Sequence, residues 1–245
     1  MAAAAYARGF SCYGMSGHSF TEFDQSYCMS KGGTILFREE VQRLKAEYAG
    51  RMEIKLGIEQ DFYATYPAVG YDYVIGSVHY LKATDPESGE AAYLAIDHAL
   101  DILKDNCERY FNGDMLALAE CYFATAAQVV EKTNCDIIGH FDLVSKFIEV
   151  EPVIDTKDPR YVAAWKKAVD HLLTFGKPFE INTGAISRGY RTTPYPAPEI
   201  IDYIKAHGGK LVLNSDSHAV ETIGFEFEKW EKLFRTAFMR LAIFS

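Results

Sequence analysis

Six residues of metal-binding type each follow a short apolar run of the sequence. They are four histidines and two carboxylates: His18, Glu59, His79, His140, Asp216 and His218. Imidazole nitrogens combined with carboxylate oxygens suit Zn, Mn or Fe, whereas calcium prefers a shell made only of oxygen atoms. The set therefore predicts transition-metal chemistry.

The strongest local signal is the pair Asp216 and His218, which stand two residues apart after the apolar run KLVLNS. Side chains two apart in an extended chain point the same way, so this spacing suits adjacent metals. A single histidine near a strand or helix is more often structural than a ligand, and this is our interpretation of His98, His171 and His207. The six candidates support a site only if the fold brings them together.

An alternation of β-type runs and helical stretches could do so. The runs lie near residues 9–18, 52–59, 71–79, 135–140, 177–182 and 210–216, and the predicted helices span 34–48, 91–110, 113–132, 159–175 and 198–206. Residues 85–89 predict a surface turn, and residues 221–244 a loop, an amphipathic helix and a last short strand. This order predicts an α/β barrel, whose strands end at one common face.

Composition limits the class of protein. The 245 residues include 49% hydrophobic ones, enough for one large domain, and the net charge of -9 argues against a nucleic-acid partner. An acidic chain still binds a small phosphate ester if bound cations reverse the local field. The five dispersed cysteines predict a reducing, cytoplasmic location, and neither a leader nor a membrane span is predicted. The oligomeric state is left open.

Six segments together resemble a known family. GMSGHS, GIEQDFY, GSVHYL, CDIIGHFDL, FEINTGAISR and LNSDSHAVETIGF, spread over residues 10–225, resemble in order the PHP (polymerase and histidinol phosphatase) family, in particular its histidinol-phosphatase branch. The resemblance implies a distorted (β/α)7 TIM-like barrel that holds two or three divalent ions and cleaves a phosphomonoester with metal-activated water.

The resemblance also implies a role for each candidate. Glu59 would bridge two metals, with Asp216 on the first, His79 and His140 on the second, and His18 and His218 on the third. Glu59 and His140 would thus belong to the catalytic centre.

The resemblance also suggests functional roles for three further residues, each of which has a structural alternative. Asp142 would act in proton transfer or behind the metal ligands, or else is an ordinary loop or cap carboxylate. Arg188 and Arg191 would bind the phosphate of a small phosphorylated substrate, since the guanidinium fork matches phosphate oxygens, or else are surface residues of a solvated loop.

One feature of the family pattern has no counterpart before His18: a first strand that carries an H-x-H pair. We therefore expect residues 1–245 to form a single, N-terminally truncated barrel domain in which residues 1–10 are the end of the first helix. The first metal would keep only Glu59 and Asp216, and the third only His18 and His218, so fewer ions than in the family are expected. The strands near residues 9–18 and 210–216 would have unpaired edges.

The resemblance predicts hydrolysis of L-histidinol phosphate to L-histidinol and phosphate, a step of L-histidine biosynthesis. Two alternatives remain at this point. One is a PHP phosphoesterase that acts on nucleotides or sugar phosphates, and the other is an inactive fragment that only binds metal.

Overall fold

The computed structural model describes residues 1–234, 239–240 and 242–244. The helices are α1 Ala2–Ala7, α2 Lys31–Glu47, α3 Leu100–Phe111, α4 Met115–Ala126, α5 Val129–Thr133, α6 Pro159–Leu173, α7 Gly184–Ser187, α8 Pro198–Ala206 and α9 Phe227–Phe234. The strands are β1 Cys12–His18, β2 Glu53–Asp61, β3 Tyr73–Ser77, β4 Tyr80–Thr84, β5 Ala91–Ala95, β6 Ile137–Ile138, β7 Phe179–Asn182, β8 Leu211–Asn214, β9 Met239–Arg240 and β10 Ala242–Phe244.

Eight of these strands form one parallel sheet in the order β10-β1-β2-β3-β6-β7-β8-β9. β10, at one end of this order, also contacts β8 near the other end, so the sheet is curled. Parallel strands all end at the same edge, so the loops that follow β1, β2, β3, β6, β7 and β8 meet there. The predicted α/β class with a parallel sheet is confirmed.

Capping residues fix where the main helices begin. The Ser30 hydroxyl accepts a hydrogen bond from the Gly33 N–H at 2.9 Å, so α2 begins before the predicted residue 34. Asp114 caps α4 in the same way, and Asp158 caps α6, which starts with Pro159. Val41 and Leu44 are buried on α2, which packs against β2.

The prediction of one helix over residues 91–110 is wrong in its first part. Residues 91–95 form β5, which pairs antiparallel with β4, and α3 begins only at Leu100. Pairing with β4, together with the stacking of the Tyr93 ring on Phe23 with centroids 3.9 Å apart, outweighs the helix propensity of the alanines here. The predicted turn at 85–89 is confirmed, since the Asp85 carboxylate accepts the Glu87 and Ser88 N–H groups.

Two glycines make room for a tyrosine inside the sheet. Tyr73 is 5% exposed, and its ring lies over Gly14 of β1 and Gly57 of β2. A Cβ added at Gly14 would lie 2.6 Å from the Tyr73 hydroxyl, and one at Gly57 would collide with the ring itself. Glycine is therefore required at both positions.

The outer strands complete the sheet on both sides. Tyr13, Gly14 and Met15 of β1 pair with β10, while Val212 and Leu213 of β8 pair with β9. The prediction of unpaired edges is wrong for these residues, because two short strands pair with them where the sequence predicted one. Two expectations stay predictions: that the family's first strand, with its H-x-H pair, is missing, and that the chain is a single truncated domain. Among residues 1–234 and the two terminal strands, no helix is long and apolar enough to cross a membrane.

Candidate metal centre

Glu59 lies at the centre of the rim where the parallel strands end. It is 3% exposed and stands beside His18 in the register of β1 with β2. Its Oε1 lies 2.9 Å from His140 Nε2 and 3.2 Å from His79 Nε2, and its Oε2 lies 3.4 Å from His18 Nδ1. Three imidazoles from three different strand ends therefore surround one buried carboxylate.

The surroundings of Glu59 favour its ionised form. Burial by itself raises the pKa of this carboxyl, but His18, His140 and His79 outweigh that effect and hold the pKa well below its usual range. Ser77 adds a hydroxyl hydrogen bond to Oε1 at 2.7 Å. A negative charge is thus held in the middle of the histidine cluster, where a cation would sit.

Asp61 orients His79 from behind. Its Oδ2 lies 3.2 Å from His79 Nδ1 and also accepts the His79 backbone N–H at 3.3 Å. Because a carboxylate can only accept, His79 Nδ1 carries a proton and Nε2 faces Glu59. Asp61 was not among the predicted site residues. Its position two residues after Glu59 on one strand was the available signal, since such residues share a face.

The donor set fits a divalent transition metal. One ligand atom each from His18, Glu59 and His79 lies within 4.8 Å of the others, which is the spacing that one ion can span. His140 adjoins them, with its ring centroid 4.9 Å from that of His79. Among the described residues, His140 Nδ1 has no hydrogen-bond partner although it is buried.

Asp216 and His218 approach the centre from the loop after β8. Asp216 Oδ1 lies 3.4 Å from His218 Nε2, and the ring of His218 lies 6.3 Å from that of His18. Arg188 binds Asp216 twice, at the backbone carbonyl (2.9 Å) and at Oδ2 (2.8 Å). Burial raises the pKa of Asp216, but Arg188 and His218 outweigh burial and hold the pKa well below its usual range.

A single cavity of about 130 Å³ gathers these side chains. Its lining contains all six predicted ligand residues and Arg188, together with Asp97, Leu143, Lys146 and Tyr195. Lys146 Nζ donates to the Asp97 carbonyl at 2.6 Å and lies 3.4 Å from its carboxylate. Asp97 and Lys146 were not among the predicted site residues, because the apolar run before Asp97 was predicted as helix and Lys146 follows no β-type run.

Asp142 and Arg191 lie elsewhere. Neither is among the described residues that line the cavity. Arg191 Nη1 lies 3.6 Å from Asp142 Oδ2, which also accepts the Ala197 N–H at 3.0 Å, and both side chains are almost fully buried. The structure therefore places them in an internal ion pair, an arrangement that suits a structural role.

Known proteins resemble the chain in sequence and in fold. No protein-family profile matches it. A probable histidinol-phosphatase of Deinococcus radiodurans is 29% identical over 240 residues, which cover 91% of this chain and 82% of that protein.

Two solved structures share the fold. One is a histidinol-phosphatase candidate, HisK, of Listeria monocytogenes, with a TM-score of 0.78 and 18% identity over 94% of this chain and 92% of that one. The other is the histidinol phosphate phosphatase of Lactococcus lactis in complex with Zn, L-histidinol and phosphate, with a TM-score of 0.68 and 19% identity over 98% of this chain and 87% of that one. The sequence and the fold thus both support a relationship between this chain and the histidinol-phosphatases.

Proposed function

We propose that the chain is a metal-dependent phosphomonoester hydrolase that converts L-histidinol phosphate and water to L-histidinol and phosphate. The observation that carries the proposal is the buried Glu59 carboxylate, which three imidazoles surround in the same cavity as the cationic side chains of Arg188 and Lys146. The names of the sequence relative and of the structural neighbours supply the substrate.

His18, Glu59, His79, His140, Asp216 and His218 are the residues that would hold two or three Zn, Mn or Fe ions. Such ions, when bound, lower the pKa of water toward neutrality and neutralise phosphate oxygens. The ligand residues come from the ends of parallel strands, which is the arrangement expected of a distorted (β/α)7 barrel of the PHP type. We propose that fold for residues 1–245 as one domain.

The other side chains of the cavity bind and orient the substrate. Arg188 is fixed by its two bonds to Asp216, which use one N–H of each terminal nitrogen, and its other N–H groups can donate to the oxygens of a phosphate group. Lys146, from the segment after β6, adds a second positive charge to the cavity lining. Asp61 keeps the proton of His79 on Nδ1, so that Nε2 stays directed at Glu59. The small cavity limits the bulk water around the phosphate.

The five cysteines described are all free thiols, and this agrees with the proposed cytoplasmic location. The proposed partner is a small phosphorylated molecule, and the acidic net charge of -9 gives no support to a nucleic-acid partner.

The test is phosphate release by the full chain after EDTA treatment and reloading with Mn²⁺ or Zn²⁺. We expect kcat/KM for L-histidinol phosphate to exceed that for a nucleoside monophosphate and for a sugar phosphate. A preference for one of the other esters would change the proposed substrate but leave the proposed reaction, phosphomonoester hydrolysis, in place. Metal binding without hydrolysis of any ester would favour the metal-binding fragment.

Glu59→Gln and Glu53→Gln form a matched pair for this test. Glu53 starts the same strand, β2, at the opposite end and is exposed. Loss of release in Glu59→Gln, with release kept in Glu53→Gln, would assign the activity to the described centre and exclude a contaminating phosphatase.

A further inference from the structure

Beneath the metal centre, Glu180 of β7 contacts three polar groups. The side chain is 1% exposed. Its Oε2 accepts the His140 backbone N–H at 2.7 Å and the Asn182 Nδ2 group at 3.0 Å, and its Oε1 accepts from Asn214 Nδ2. One buried carboxylate thus connects the chain after β6 to the ends of β7 and β8.

The two asparagines that contact Glu180 also hydrogen-bond to the loops that carry site residues. Asn182 and Asn214 are register partners on β7 and β8. Asn182 Oδ1 accepts the Gly184 N–H at 2.8 Å, and Gly184 begins α7, the short helix after which Arg188 follows. Asn214 Oδ1 accepts the Asp216 N–H at 2.9 Å. Each carboxamide therefore holds the first turn of a loop that bears a site residue.

The backbone N–H groups at the edge of this network determine which atom donates and which accepts in each of its hydrogen bonds. The N–H groups of Gly184 and Asp216 can only donate, so each asparagine must turn its oxygen toward its loop and its amide nitrogen toward Glu180. The His140 N–H also donates to Glu180. All three partners are donors, so both Glu180 oxygens act as acceptors, although burial raises the pKa of this carboxyl.

We propose that Glu180 is a positioning residue that sets His140, Arg188 and Asp216 in register around the metal centre by fixing the orientation of both asparagine carboxamides. The inference rests on the metal centre proposed above. It concerns the geometry of that centre and does not depend on which ester is hydrolysed.

The test reverses a single hydrogen bond. In Glu180→Gln the new NH₂ group meets the NH₂ group of Asn214, and in Asn214→Asp a carboxylate meets the Glu180 carboxylate. In the double variant Glu180→Gln/Asn214→Asp, the carboxamide introduced at position 180 donates to the carboxylate introduced at position 214. The second oxygen of that carboxylate still accepts the Asp216 N–H, and the carboxamide oxygen at position 180 still accepts from His140 and Asn182. The network is restored with one bond reversed.

The measured quantities are the Mn²⁺ dissociation constant of the full chain, from the electron paramagnetic resonance signal of free Mn²⁺, and the melting temperature without metal. We expect each single variant to bind Mn²⁺ about 10- to 100-fold more weakly, as for other residues that support metal ligands, and the double variant to return close to the wild-type constant. A purely structural role would lower the melting temperature and leave the Mn²⁺ constant of the folded protein unchanged.

Unchanged Mn²⁺ binding in both single variants, or a double variant as weak as the sum of the two single effects, would overturn the proposal. If neither single variant folds, Glu180→Asp takes their place, because it keeps the charge and withdraws the carboxylate from its partners. Wild-type Mn²⁺ affinity in that variant would also overturn it. Failure of the phosphatase proposal would instead appear as intact Mn²⁺ binding without release of phosphate from any ester.

Discussion

His79 hydrogen-bonds to Asp61 with both its backbone N–H and its ring Nδ1, at 3.3 and 3.2 Å from the same carboxylate oxygen. The other oxygen of Asp61 accepts the Tyr63 N–H at 2.8 Å. These hydrogen bonds to the carboxylate all come from N–H donors, and together they fix the His79 ring against Glu59.

Asp61→Asn replaces an acceptor with an NH₂ group that faces these donors. We expect Zn²⁺ or Mn²⁺ affinity to fall about 10- to 100-fold, the usual cost of losing the carboxylate behind a ligating histidine. Competition with a chelating dye measures it. Asp136→Asn is the control, because Asp136 accepts the Val74 N–H near the start of β3, whereas His79 follows the end of that strand. Equal losses in the two variants would contradict the assignment.

Arg188 and Arg191 should respond differently to replacement by lysine. Arg188→Lys loses the fork in the cavity, and since hydrogen bonds to charged groups contribute about 1.5–3 kcal/mol, kcat/KM should fall about 10-fold or more. Arg191→Lys disturbs the buried pair with Asp142 and should mainly lower the melting temperature. Steady-state kinetics and thermal unfolding separate the two effects. A loss of kcat/KM in Arg191→Lys, with only a lower melting temperature in Arg188→Lys, would support Arg191 as the phosphate-binding residue.

Gly57→Ala should destabilise the protein, because the added methyl group collides with the Tyr73 ring. Overpacking of this kind costs about 1–3 kcal/mol in the free energy of unfolding. Urea titration measures it. Gly32→Ala is the control: it lies in the first turn of α2 with no atom near its Cβ, and should be neutral or stabilising by about 0.4–1 kcal/mol. A neutral Gly57→Ala would show that Tyr73 moves freely.

The Cys12 thiol should react slowly with alkylating reagents at neutral pH. Burial, and then the charge of Glu53 beside it in the register of β1 with β2, raise the pKa of Cys12 to about 11. At pH 8 the reactive thiolate is therefore scarce, and alkylation by iodoacetamide should rise steeply only as the pH approaches that value. Glu53→Gln removes one of the two causes and should speed the reaction at pH 8, as followed by peptide mass spectrometry. An unchanged rate in Glu53→Gln would contradict the described register.

The strand-end residues were predictable because a polar side chain that closes an apolar run is visible in the sequence. His18, Glu59, His79 and Asp216 all lie where that rule places them. Lys146 follows no such run. The strand before Asp97, β5, was predicted as helix because alanine-rich segments satisfy a helical pattern until a partner strand binds them. Arg191 was predicted to bind phosphate, or else to lie on a solvated loop, and only the folded chain shows that it is buried beside Asp142.

The pairing of β10 with β1 and of β9 with β8 places the carboxyl-terminal residues on both flanks of the rim. β1 ends in His18, and β8 ends two residues before Asp216. A protease cut between residues 234 and 239, or a bulky fusion protein at that end, would loosen both strands without touching a ligand. Tag placement therefore belongs among the variables of any activity measurement on this chain.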